Sequence, residues 1–248
     1  MTRTLAALLV LSAPAPALAT DLEIAYTEEF LTNGYSNWRS LGLGAAWRLD
    51  ERALLAVSAR ELQRFDLHDL DLGASASGPL GDSWVLGGEA TASPTHRFTA
   101  LVSGALHLQY AIGWGLVGSA GVKWARFANE AGASHPVIGR MGVEYYWGAF
   151  RVGWTGFLST VSGAWSASQR ATGDFFYGDG GRVGVGLSMG RELESVGGRV
   201  VMTDVLGAVV AGRHDVDAAW SLLWEVGVQR QGGLYTRTGA TLGIRRRF

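Results

Sequence analysis

The chain closes on Leu242-Gly243-Ile244-Arg245-Arg246-Arg247-Phe248, an alternating stretch that ends on an aromatic ring. Period-two alternation sends successive side chains to opposite faces of a strand. A strand with lipid on one side and a polar lumen on the other needs that pattern, and a terminal Phe suits an interfacial aromatic girdle. The stretch therefore reads as the last strand of an outer-membrane β-barrel. The alternative is the edge strand of a secreted, Gly-rich sandwich.

The other end of the chain supports the barrel. Arg3, an apolar run from Leu5 to Leu11, Pro14 and Pro16, and the small-x-small tripeptide Ala17-Leu18-Ala19 form a secretion signal, with cleavage expected after Ala19. The run is far shorter than the roughly 20 residues of a transmembrane helix. Residues 1–19 are thus expected to be a signal peptide and residues 20–248 a single barrel domain. Losing Arg3 from the 21 Lys and Arg leaves 20 against 22 acidic residues, a net charge of −2 that gives no footprint for nucleic acid. The absence of Cys excludes disulfides, thiol catalysis, a cysteine-ligated metal and a lipidated cysteine anchor.

Between the ends, alternation recurs almost throughout. Leu41, Leu43, Ala45, Trp47 and Leu49 share one face, as do Trp220, Leu222, Trp224, Val226 and Val228, and the opposite faces hold Ser, Gly, Glu, Gln and Arg. Extending this template predicts an all-β, antiparallel, up-and-down transmembrane barrel of about 14 strands, with 12 as the alternative count. Short periplasmic turns are expected at Asp50-Glu51, Gly78 to Ser83, Ala111 to Trp114, Gly148-Ala149, Gly178 to Gly181 and Arg213 to Asp217. Exterior loops are expected at Leu31 to Asn37, Ala128 to His135, Thr160 to Ser166, Glu192 to Gly198 and Gln231 to Gly233. Trp47, Trp84, Trp114, Trp147, Phe150, Tyr177, Trp220 and Phe248 all fall beside the periplasmic turns, where an aromatic girdle belongs. Trp124, Trp154 and Trp224 fall deeper on the lipid-facing phase.

The polar phase carries both signs of charge. Asp69, Asp71, Glu89, Glu144, Asp174 and Glu225 stand against Arg48, Lys123, Arg140, Arg151, Arg170, Arg237, Arg245 and Arg247. Facing a lumen, they avoid the roughly 2–4 kcal/mol that Arg or Lys costs at the bilayer midplane on the lipid side. Glu89, Lys123, Arg140, Glu144, Arg151, Arg170, Asp174, Glu225 and Arg237 are the candidate pore-lining residues. A narrow lumen filled by mutually satisfied salt bridges is the competing account. If the first and last strands pair antiparallel, Asp21 and Glu23 should approach Arg245 and Arg247.

Five segments together resemble the YaiO family of outer-membrane barrels: Asn33-Gly34-Tyr35-Ser36-Asn37-Trp38-Arg39-Ser40, Ala92-Ser93-Pro94-Thr95-His96-Arg97, Gly190-Arg191-Glu192-Leu193-Glu194, Val201-Met202-Thr203-Asp204-Val205 and Gly233-Leu234-Tyr235-Thr236-Arg237. They span essentially the whole mature chain. The resemblance implies a barrel fold and a Gram-negative outer-membrane location, and carries over no assigned activity. Such barrels are also similar to the terminal pores of exopolysaccharide secretion proteins, whose periplasmic helical-repeat scaffold is absent here. Arg246 stands where such barrels more often have Tyr or an apolar residue. The expected partners are lipid and lipopolysaccharide, the barrel-assembly machinery through Phe248, and polysaccharide-export components.

Catalysis is not expected. A lipid-modifying barrel needs a nucleophile and a base sharing one face, and the nearest pair, Ser93 and His96, flanks Pro94 in a turn that the two residues more simply stabilise. His68, His96, His107, His135 and His214 are dispersed, so neither a metal nor another cofactor is expected. A passive pore for small polar solutes or for surface-polysaccharide export is the leading expectation. A non-conducting surface barrel and a lipid-modifying enzyme are the alternatives.

Overall fold

The computed structural model describes residues 20–129, 132–196 and 199–248. The expected signal peptide, residues 1–19, and its expected cleavage point lie outside them. The strands are β1 (Thr20–Leu31), β2 (Trp38–Arg48), β3 (Leu54–Arg64), β4 (Leu67–Leu80), β5 (Trp84–Ala92), β6 (Val102–Gly113), β7 (Leu116–Asn129), β8 (Gly132–Ser134), β9 (Val137–Trp147), β10 (Phe150–Val161), β11 (Ala164–Tyr177), β12 (Gly181–Val196), β13 (Arg199–Asp215), β14 (Trp220–Gln231) and β15 (Tyr235–Arg247). Strand β8 is a three-residue return on the tip of β7. The other 14 close into one antiparallel barrel, because β6 pairs β7, β7 pairs β9, and β15 returns to β1. Closure removes the open edges that would otherwise invite aggregation.

Both described termini lie at one end of the barrel, with the short turns. Residues 148–149 connect β9 to β10, and residues 178–180 connect β11 to β12. The reversal expected at Arg213 to Asp217 lies further on. Strand β13 continues to Asp215 and the chain turns over 216–219, where Asp217 Oδ1 accepts the Ala219 and Trp220 N–H groups at 2.7 and 2.8 Å. Lateral contacts prolong the strand: Arg213 pairs with Leu223 and donates its Nε to the Gly180 carbonyl at 2.6 Å. Residues 78–80 likewise remain in β4, with Leu80 opposite Trp84.

At the other end, β3 and β4 join through Phe65-Asp66, both left-handed with φ of 52° and 61°. A two-residue turn of that kind matches the twist of its strands, and here it forms without glycine. Ring contacts of Phe65 with Trp38 and Tyr35, at 5.2 and 6.0 Å between centroids, hold it in place.

The apolar phase faces outward. Leu106, Met141, Leu187 and Leu242 are 57–68% exposed, the condition of a surface made for hydrocarbon. At the short-turn end, rings follow one another as Tyr145, Trp147, Phe150, Phe175, Tyr177, His214 and Trp224, with neighbouring centroids 5.1–6.1 Å apart. Arg246, on this apolar phase, stacks over Phe248 at 4.5 Å and Trp220 at 5.3 Å. That cation–π cradle lets an arginine join the aromatic belt.

Candidate pore and its loop-end mouth

The lumen has three storeys. In the strand middles its wall is low, because glycines accept long side chains from the neighbouring strand. A methyl group at Gly121 would meet Arg140 Nε at 2.8 Å, one at Gly186 would meet Arg170 Nη2 at 3.1 Å, and one at Gly239 would meet Glu29 Cγ at 2.7 Å. Each charged chain therefore lies along the wall instead of crossing the lumen. The same device serves the outer face, where Trp224 covers Gly212 and Trp124 covers Gly104. The 36 glycines of the sequence find much of their use here.

In this middle storey Lys123 Nζ lies 3.3 Å from Glu89 Oε1. Arg140, Arg170 and Glu225 are exposed, and none has a hydrogen bond or ion pair among the described residues. Toward the short turns the charges close on one another. Arg151 lies 2.8 Å from Asp174 and 3.7 Å from Glu144, and Arg182 reaches Asp174 at 3.7 Å. Arg151 is thus a compensated charge, unlike Arg140 and Arg170. At the closing seam Glu23 meets Arg245 at 2.7 Å and Asp21 meets Arg247 at 3.7 Å, the pairing expected from the sequence.

The loop end is packed. Trp38, Leu62, Asp69, Ser103, Ala125, Ser166, Val205 and Gln231 are all buried on the lumen phase near the loop-end limits of their strands. Arg64 stacks on one side of Trp38 at 4.4 Å and Arg237 approaches the same ring at 5.2 Å. Arg237 also pairs with Glu29 at 3.3 Å and donates to Gln229 at 2.9 Å. Gln229 donates to Gln231, whose amide donates to Thr203 at 2.7 Å. The chain of contacts runs from β13 to β3 without a break.

The β5–β6 loop, residues 93–101, completes the mouth. Asp69, only 2% exposed, accepts the N–H groups of Arg97, Phe98 and Thr99 at 2.8–2.9 Å and the Thr99 hydroxyl at 2.9 Å. Because Asp69 points inward from β4, these bonds draw the loop over the lumen, and Phe98 comes within 5.8 Å of Arg64. Ser93 Oγ accepts the His96 N–H at 3.0 Å and Thr95 Oγ1 accepts the Leu70 N–H at 2.9 Å, so both hydroxyls brace the turn.

Several of these groups were absent from the sequence-based set. Glu29, Arg64, Gln229 and Gln231 follow the lumen phase of their strands, so alternation alone could have included them. Trp38 also follows the lumen phase, opposite Leu41 and Leu43, but a Trp at a strand end reads first as girdle. The inward fold of residues 93–101 leaves no periodic signal. Two of the segments singled out in the sequence, 33–40 and 233–237, meet at this mouth: Asn33 Nδ2 donates to the Leu234 carbonyl at 2.6 Å, and Trp38 and Tyr235 are in ring contact at 5.7 Å.

No protein-family model matches the chain, and no curated protein sequence does. Solved structures do match in fold. The chain is similar to the CymD monoaromatic hydrocarbon channel, with a TM-score of 0.58 at 10% identity over 93% of this chain and 87% of that one. It is similar to the anion-selective porin from Comamonas acidovorans, with a TM-score of 0.52 at 10% identity over 92% and 98%. The KdgM porin in complex with disordered oligogalacturonate gives 0.53 at 11% identity over 91% and 99%. At such identities the likeness is one of fold, that of bacterial outer-membrane barrels.

Proposed function

We propose that this protein is a passive pore of the bacterial outer membrane, a member of the YaiO group, that admits small polar solutes with a preference for anions. The observation that carries the reading is the pair Arg140 and Arg170, exposed and unpaired among the described residues in the middle storey, where they outnumber the unpaired Glu225. Charges lining a water-filled passage select permeants by sign, and those already paired contribute little at a distance. In this reading the short turns face the periplasm, the mouth faces outward among lipopolysaccharide, and Phe248 presents the last strand to the assembly machinery. The packed loop end, with Arg237 of the candidate set in it, is the constriction, and Glu89, Lys123, Arg140, Glu144, Arg151, Arg170, Asp174 and Glu225 line the route beneath it. Neither polysaccharide export nor lipid chemistry draws support from the described residues. Ser93 and His96, the pair closest to a nucleophile and base, serve the turn.

Reversal potentials of the refolded barrel under a KCl gradient test the reading. The native pore is expected to favour chloride, and R140Q/R170Q to lose that preference. The control E89Q/K123Q removes a bonded pair of zero net charge and is expected to keep it. A pore that prefers potassium, or one indifferent to R140Q/R170Q, would contradict this assignment.

A further inference from the structure

One recess reaches from the middle storey to the packed loop end, a cavity of about 250 Å³ opening on the lumen between β11 and β1. Its floor is backbone, formed by Gly186, Gly207, Gly227 and Gly239, and four charged side chains line it: Arg170, Glu225, Arg237 and Glu29. Arg237 and Glu29 lie 3.3 Å apart and neutralise each other. Arg170 and Glu225 form no hydrogen bond or ion pair with each other, and each lacks a partner among the described residues.

The recess thus presents one free guanidinium and one free carboxylate separated by a glycine floor. A simple anion gains from Arg170 and loses to Glu225, and a simple cation does the reverse. A molecule with opposite charges at its two ends satisfies both, through charge-assisted hydrogen bonds at each end. The volume lies below the roughly 300–1,000 Å³ of drug-sized sites, which limits the occupant to a small solute. We infer that this recess is a binding site for a small zwitterion of the amino-acid class, its carboxylate on Arg170 and its ammonium on Glu225. The inference rests on the lumen being the solute route and names one class of traveller.

The test uses glycine, β-alanine, 4-aminobutyrate and 6-aminohexanoate, which share both charged groups and differ in the distance between them, with butyrate and butylammonium as single-charge controls. Saturation-transfer NMR on the detergent-folded barrel reads binding without requiring conduction. One member of the series is expected to bind more tightly than either control, and its length reports the Arg170–Glu225 span. R170Q and E225Q are each expected to weaken it about tenfold, the loss of one charge-assisted contact. The swap R170E/E225R is expected to restore binding with the molecule reversed, while the heat-shifted electrophoretic band certifies that each variant is folded. Equal binding of zwitterions and controls, or indifference to both single changes, would overturn the inference. Binding retained by a barrel silent in planar bilayers would uphold the site and remove the pore reading. Conduction without zwitterion-selective binding would do the opposite.

Discussion

The loop end and the middle of the lumen solve opposite problems. At the loop end, Trp38, Arg64, Asp69, Arg237 and Gln231 interlock until Asp69 and Gln231 retain only 2% and 1% exposure. In the middle, Arg140 and Arg170 lie flat against glycines and remain exposed. The contrast comes from what stands beside each long side chain. A large residue opposite another fills the interior, whereas a glycine opposite one stores it against the wall. A closed 14-stranded barrel can therefore be narrow at one level and open at the next without changing its strand count.

The largest disturbance of that contrast is expected from Asp69→Ala. The carboxylate accepts four hydrogen bonds, three of them from consecutive loop N–H groups, and its loss should weaken loop anchorage by about 3 kcal/mol or more. Residues 93–101 should then leave the mouth. Single-channel conductance is expected to rise, and Arg97 should become a trypsin site while the barrel stays folded. Unchanged conductance together with continued protection of Arg97 would show that the loop does not form the constriction.

A smaller effect is expected from filling a glycine berth. The His107 imidazole lies over Gly87, and a Cβ there would collide with the ring and with no backbone atom. Gly87→Ala should push the imidazole into the lumen, lowering conductance while changing stability by no more than about 1–3 kcal/mol. His107→Ala in that background should restore conductance. If the single change is silent in conductance, glycine berths do not set the bore at that level.

Much of the barrel was legible because lipid and lumen impose a two-residue period on every strand. The 14 strands, the girdle around Trp147 and Phe150, and the phase of Arg140 and Arg170 follow from alternation alone. The β13 turn was misplaced because Arg213 is held in the strand by the Gly180 carbonyl, a contact from a hairpin 33 residues away in sequence. For the same reason alternation placed Arg151 on the lumen phase but could not show that Asp174 and Glu144 compensate it. Phase is local information, whereas pairing depends on register across strands. The mouth is the extreme case: its linked members come from β1, β2, β3, β4, β13, β14 and β15 and from a loop with no period at all.

The smallest expected effect tests how the barrel closes. Along the seam β1 contributes acids and β15 bases: Asp21 to Arg247, Glu23 to Arg245, Glu29 to Arg237, with Thr27 and Thr241 sharing a hydrogen bond of 2.9 Å between them. Segregating the signs this way favours the union of β1 with β15, because each lumen-side acid of one strand finds a base on the other and no like charges oppose each other. The Glu23 and Arg245 side chains keep 36% and 28% of their exposure, so solvent screens them and the pair is worth roughly 0.5–1 kcal/mol. Reversing one sign adds repulsion to that loss. Glu23→Arg should lower the unfolding free energy in urea by about 1 kcal/mol and reduce refolding yield, and Glu23→Arg with Arg245→Glu should recover most of both. Full recovery in the swap would place the seam's specificity in charge. Failure to recover would place it instead in the backbone ladder and the Thr27–Thr241 contact, and the acid-to-base order of the two strands would then be incidental to closure.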